Sequence, residues 1–313
     1  MSALSPLERA DGRPAAAPPA ASGVPAIPAA SGVPAIPAAP DRAAPVPAFA
    51  VVPARRLLVH GLSEAAATFL LTASLQAFGA LVIAPGLDGF AATVAAACAV
   101  FVAIALVVLS PLGRISGAHM NPAVTLAFLL HRTLTARDAA AYVTGQAVGA
   151  VAATAFVATL MPEAFAASGR MLVAPAGGLS DPAVFGLEFA ATGLLVLALF
   201  AMTSHPAFAR WTFAMKAGYF LMATLILRDA TGAGLNPLRA FAPAVIAGEF
   251  DRVTLYAGAS LLGAATAALA CGLVPRLPRP LHHHLGPPRH HAFVAMARRI
   301  LNRATGRPAG GAA

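Results

Sequence analysis

Six apolar stretches dominate the middle of the chain, at about 58–84, 89–110, 137–160, 181–203, 211–228 and 253–274. Each is close to the roughly 20 residues a helix needs to cross a bilayer. In hydrocarbon every backbone N–H and C=O must find its partner inside the protein, and a long apolar run achieves that as helix. The fold class expected is therefore an all-α polytopic membrane protein. Composition agrees: of 313 residues 58% are hydrophobic and only 11% charged, with a mean hydropathy of +0.75, whereas about a quarter of the residues in an average soluble domain are charged. Cys98 and Cys271 both fall inside apolar stretches, where small thiols are packing residues more readily than a disulfide.

Two shorter elements interrupt the series. Asn121-Pro122-Ala123 follows Ser116-Gly117-Ala118-His119-Met120, and Asn236-Pro237-Leu238 follows Thr231-Gly232-Ala233-Gly234-Leu235. Asn is a strong helix N-cap, and Pro suits the first helical position because its missing N–H would be unpaired there. Each pair opens an apolar run too short to cross a bilayer, one between the second and third stretches and one between the fifth and sixth.

The two halves of the chain resemble each other. Glu64-Ala65-Ala66-Ala67-Thr68-Phe69-Leu70-Leu71 matches Glu188-Phe189-Ala190-Ala191-Thr192-Gly193-Leu194-Leu195 at six of eight positions, and Gly149-Ala150 recurs as Gly263-Ala264. With three spans per half, the second copy must enter the membrane upside down relative to the first. Such inverted repeats place a solute site near the midplane, where interrupted helices meet. The expected architecture is six transmembrane helices plus two re-entrant half-helices in an inverted 3+3 repeat.

Two half-helices entering from opposite faces would meet at their Asn-capped N-termini. Each end carries about half a positive charge and unpaired N–H donors. Facing one lumen, the pair raises the energy of a cation and leaves the carboxamides of Asn121 and Asn236 for a neutral polar solute. Ordinary capping of two interfacial helices is the plainer alternative, and a single pair would have favoured it. Glu64 and Glu188 occupy equivalent places in the repeat. Intramembrane carboxylates often relay protons, but here the stronger expectation is acceptance of backbone N–H groups from the irregular approach to each half-helix. Arg239, in the first turn of the second half-helix, is expected at a wet constriction. His119 either lines the lumen or packs in its loop. Gly145, Gly149, Gly258 and Gly263 are read as sites of close helix contact.

Outside 57–274 the chain changes character. Residues 1–56 are an Ala/Pro-rich tail with a nine-residue repeat, Ala21–Ala29 recurring at Ala30–Ala38, expected to be a disordered spacer. Residues 275–313 form a basic tail with His282-His283-His284 and His290-His291, read as solvated segments rather than a metal site. The net charge of +9 lies largely in tails and loops, so orientation and lipid headgroups account for it without nucleic acid. Arg55, Arg56, Arg114, Arg132, Arg137 and Arg210 fall on the side of the termini. Both tails are therefore expected in the cytoplasm and the protein in the inner (plasma) membrane.

With these residues the chain resembles the major intrinsic protein family, the aquaporins and glycerol facilitators. The resemblance is carried by Ile115-Ser116-Gly117-Ala118-His119-Met120-Asn121-Pro122-Ala123-Val124-Thr125, by Thr231-Gly232-Ala233-Gly234-Leu235-Asn236-Pro237 with Arg239, and by Glu64, Gln146 and Glu188. It implies a homotetramer with one pore per subunit, lipid and small neutral solutes as partners, no cofactor or metal, and passive flow of water or small solutes. Carried over by spacing from the two asparagines, the family's filter falls on Phe101, Thr224, Ala233 and Arg239. Thr224 and Ala233 give it more room than a water-only filter. Leu238 departs from the family's Ala and is expected to narrow the midplane or displace its lining. Ammonia, glycerol, urea and metalloid acids are alternatives to water. An ion-coupled transporter and a non-transporting scaffold are the competing classes. An enzyme is disfavoured, since the spans carry no nucleophile–base pair.

Overall fold

Helix after helix forms where the apolar runs lie, and polar side chains cap the starts of some of them. The protein is described by a computed structural model over residues 49–83, 86–87, 89–175 and 178–273. The nine-residue repeat and the two His clusters lie outside these residues. In the first half, α1 (Ala54–Phe78) ends in a π-turn at Gly79–Ile83, followed by α2 (Gly89–Leu109), α3 (Pro111–Ser116), α4 (Pro122–Leu130), α5 (Ala136–Leu160) and α6 (Pro162–Ala167). In the second half come α7 (Asp181–Thr203), α8 (Pro206–Ala209), α9 (Thr212–Thr231), α10 (Pro237–Ala247) and α11 (Val253–Gly272). The Ser110 and Thr135 hydroxyls accept from Leu112 and Asp138 N–H to start α3 and α5.

Five helices, α1, α2, α5, α7 and α11, are long and apolar enough to cross a membrane. The sixth expected span, α9, has 20 residues, about 30 Å at 1.5 Å per residue. It carries Lys216, Arg228 and Asp229, which lower its apolarity, and it lies packed against α2 and α7. The exterior is apolar, with Leu58, Leu106, Phe156, Leu194, Ile226 and Leu269 all exposed. The interior holds the polar side chains Glu64, Thr68, Gln146, Glu188 and Thr192. That inversion of the soluble pattern fits a lipid-facing surface.

The halves are built alike. In the first, α1 packs on α5; in the second, α7 packs on α11. Glycines permit both crossings. A Cβ on Gly145 would sit 2.1 Å from the Gly61 carbonyl oxygen, on Gly149 2.2 Å from that of Ala65, and on Gly263 2.2 Å from that of Phe189. Gly258, expected to act the same way, would meet only the Phe185 ring, at 3.7 Å. The half-helices α4 and α10 are each laid against both α5 and α11, so each touches the last span of the opposite half.

Candidate functional site: a lumen between two half-helices

Both approaches to the half-helices repeat one backbone pattern. Gly117 and Gly232 end the preceding helices in the left-handed region, at φ 86° and 88°, where glycine is at ease. Ala118 (φ 47°) and Met120 (φ 51°) follow in the first half, Ala233 (φ 50°) and Leu235 (φ 49°) in the second. Non-glycine residues held there cost about 1–3 kcal/mol each and persist only when the surroundings fix them.

The two glutamates do the fixing. Glu64 Oε1 accepts from the Ser116 hydroxyl at 2.6 Å and from His119 N–H at 2.9 Å. Its Oε2 accepts from Met120 N–H at 2.8 Å and from Gln146 Nε2 at 2.7 Å. Glu188 Oε1 accepts from the Thr231 hydroxyl at 2.5 Å and Gly234 N–H at 2.9 Å, and its Oε2 from Leu235 N–H at 2.6 Å. Tyrosine hydroxyls brace the helix ends behind the loops, Tyr142 donating to the Ser116 carbonyl and Tyr256 to that of Thr231. The carboxylates therefore face away from any lumen, into the backbone, and are arranged to hold the loops.

Asn121 and Asn236 meet across the centre. Each side-chain oxygen caps its own half-helix, Asn121 accepting from Ala123 N–H at 2.9 Å and Asn236 from Leu238 N–H at 3.0 Å. Each Nδ2 reaches the opposite loop, Asn121 donating to the Leu235 carbonyl and Asn236 to the Met120 carbonyl, both at 2.8 Å. A carboxamide has two N–H donors, so one remains on each for a solute. Both asparagines line a cavity of about 450 Å³.

Thr224, Ala233 and Arg239 also line this cavity. Arg239 is exposed and donates to the Met171 carbonyl at 2.8 Å, which holds the guanidinium on the cavity wall. The Thr224 hydroxyl donates to the Phe220 carbonyl of its own helix. Phe101 is placed differently from expectation. On α2 the wall includes Ala96, Ala99, Val100 and Ile104 but not Phe101; Val100, Phe101 and Ile104 all pack in one apolar cluster with Ala67, Val108 and Met120. On α9 the wall residues lie 20, 16, 12 and 8 positions before Asn236; on α2, Val100 and Ile104 lie 21 and 17 before Asn121. The offset of one residue coincides with the break at Ser110 between α2 and α3, whereas α9 runs unbroken to Thr231.

Two further residues pack closely. The His119 ring is buried, 3.1 Å from the Thr125 hydroxyl, with the Phe128 and Tyr142 rings both 5.0 Å away, and His119 also borders the cavity, so it both supports its loop and lines the lumen. Leu238 lies on the cavity wall and packs with Ala150 and Ala242 against α5, so its extra carbons are absorbed by the small residues Ala147 and Ala150.

Sequence reasoning missed Lys216. It is 2% exposed, lines the cavity, and its ammonium donates to the Ala118 carbonyl at 2.7 Å and the His119 carbonyl at 3.0 Å. The count of 20 positions that led to Phe101 from Asn121 leads to Lys216 from Asn236, and would have found it. With Arg228 and Arg239 it gives the cavity wall three cationic side chains, and no Asp or Glu lines it. Among the described residues no group of three or more His, Cys, Asp or Glu could hold a metal ion.

The sequence pattern of the family described as Major intrinsic protein matches residues 54–271. Lens fiber major intrinsic protein of Gallus gallus is 37% identical over 161 residues, covering 50% of this chain and 61% of that protein. Aquaporin NIP1-3 of Oryza sativa subsp. japonica is 32% identical over 180 residues, 56% of this chain and 60% of that protein. The chain thus spans about three fifths of the length of these relatives. The solved aquaglyceroporin of Plasmodium falciparum superimposes with a TM-score of 0.52 at 20% identity, covering 70% of this chain and 96% of that one, a likeness of fold. With the family pattern running through both half-helices, the chain belongs to the major intrinsic protein family.

Proposed function

We propose that the protein is a passive channel for water and small uncharged solutes that excludes protons and ions. The observation that carries this is the facing pair Asn121 and Asn236. Each caps a half-helix, is tied to the opposite loop, and keeps one carboxamide hydrogen for the lumen. The two helix ends add positive potential at the same level, which opposes protons and cations while a neutral solute exchanges hydrogen bonds. Relatives named aquaporins and a fold neighbour named an aquaglyceroporin support the same reading.

The outer constriction is assigned to Thr224, Ala233 and Arg239, with Val100 standing on α2 where Phe101 was expected. Valine is smaller than phenylalanine, so this opening favours solutes larger than water as well, such as glycerol, urea or metalloid acids, alongside water-sized ammonia. The channel works as a homotetramer in the plasma membrane with both termini cytoplasmic, a reading supported by the family and by the arginines on that side.

Stopped-flow light scattering on vesicles holding the purified protein, with water, glycerol, urea and ammonia gradients, tests the proposal. Flux linear in the gradient is expected, with faster glycerol and urea entry in Arg239→Ala. No solute moving faster than in empty vesicles would refute the channel, and saturable ion-coupled uptake would make the protein a transporter.

A further inference from the structure

The two halves of the lumen are not chemically alike. On α9 the wall residues Lys216, Phe220, Thr224 and Arg228 form one stripe. Lys216 lies twelve residues inward of Arg228, about 18 Å along the helix. His119 and Ile104 share the wall with Lys216, and no residue of α4 or α5 does. Val124, the counterpart of Arg239 in the first half, is buried and does not reach that wall.

A lysine ammonium inside a membrane must be compensated. Here the compensation runs through the backbone. Lys216 donates to the carbonyls of Ala118 and His119, while Glu64 accepts from the N–H groups of His119 and Met120. Two successive peptide groups are therefore clamped between an ammonium and a carboxylate, and such chains of hydrogen bonds strengthen one another. In the outer half Glu188 takes the N–H groups of Gly234 and Leu235, but α2 offers apolar Val100 at the corresponding place. Among the described residues no side chain donates to the Ala233 or Gly234 carbonyl. The outer loop thus keeps its acceptors for a solute, whereas at the inner end they are taken up and a donor stands in their place.

We propose that Lys216 is a second specificity-determining residue of this lumen, an inner filter whose ammonium holds that end narrow, passes uncharged hydrogen-bond acceptors and repels cations. This rests on the channel reading and adds to it a second charge barrier independent of Arg239. A solute moving inward then meets donors in sequence, from Arg239, the two carboxamides and Lys216, so it must be able to accept at every station.

The test uses the full-length protein in vesicles: wild type, Arg239→Ala, Lys216→Met, and the double variant Arg239→Ala with Lys216→Gln. Water flux is read by light scattering and potassium leak by a potential-sensitive dye. Removing the tie in Lys216→Met should raise water flux about tenfold, equivalent to ~1.4 kcal/mol on the barrier. Arg239→Ala alone should remain potassium-tight, and the double variant should leak, since glutamine keeps amide donors for the two carbonyls but carries no charge. Water flux in Lys216→Met within twofold of a conducting wild type, or a potassium-tight double variant, would overturn the proposal. If Lys216→Met does not fold, the potassium measurement decides alone; loss of fold in both variants would also overturn it, making Lys216 a structural counterion to Glu64. Absence of flux in the wild type and every variant is the separate outcome that defeats the channel reading itself, whereas an inert wild type beside a conducting Lys216→Met supports the inner filter.

Discussion

Replacing Glu188 by Gln changes one oxygen to an NH2 group and little else in shape, so its effect isolates what the carboxylate does. In the native protein Oε1 receives the Thr231 hydroxyl and Gly234 N–H, and Oε2 receives Leu235 N–H. All three are hydrogen bonds to a buried, charged acceptor. In Glu188→Gln one backbone N–H must face the new amide hydrogens, whichever way the amide turns. An orphaned buried donor costs about 1–3 kcal/mol, and each surviving bond loses roughly 1 kcal/mol of charge assistance. The sum is about 3–5 kcal/mol, set against a segment whose Ala233 and Leu235 already sit in the left-handed region. The loop carrying Arg239 and Asn236 should therefore relax before the helices melt. The expected result is a lower thermal midpoint in detergent together with loss of water flux, while far-ultraviolet circular dichroism at 20 °C (about room temperature) retains its helical signal. A Glu188→Gln protein that melts within ~1 kcal/mol of wild type and conducts normally would refute the assignment of Glu188 as the acceptor that fixes the loop.

Two other predictions test the packing and the caps. Gly149→Ala places a methyl against the Ala65 carbonyl and should destabilise the protein by about 1–3 kcal/mol as α1 and α5 are pushed apart; Gly186→Ala, with nothing within 4 Å, should be neutral or stabilising by up to about 1 kcal/mol, and thermal unfolding in detergent compares the two. Asn121→Ala removes both a cap and the bond to the Leu235 carbonyl. It should cost about 1–2 kcal/mol and reduce water flux more than stability, which paired melting and light-scattering measurements would show.

Much of this architecture is legible in the sequence because lipid imposes strong rules. Long apolar runs, the two Asn-Pro caps and the duplicated glutamates have few physical uses in a membrane, and α2, α5, α7 and α11 begin and end within about two residues of expectation. The loops explain the glutamates as anticipated, since irregular backbone in hydrocarbon needs acceptors. What was not legible depends on rotation and on neighbours. Phe101 came from a spacing carried over from the family, and a spacing along the chain does not report which residues border the cavity, where α2 presents Val100. Lys216 stood hidden in a span read for its apolar length; its carbonyl partners, Ala118 and His119, are about a hundred residues away in sequence. Leu238 was expected to narrow the midplane or displace its lining; it does stand on the cavity wall, while its packing with Ala147 and Ala150 of α5, distant along the chain, could not be read from the sequence.

The laying of each half-helix on the last span of the opposite half has a consequence for synthesis. α4 emerges early, yet one of its main supports is α11, the last described helix of the chain. Until α11 arrives, α4 has a short apolar body, an uncovered side and no Asn236 opposite its cap. Neither half is thus a complete folding unit, although the two look like copies. A ribosome stalled before residue 253 would leave the first half-helix to shift or be held by other factors. The lumen between the two half-helices is then among the last things this chain completes.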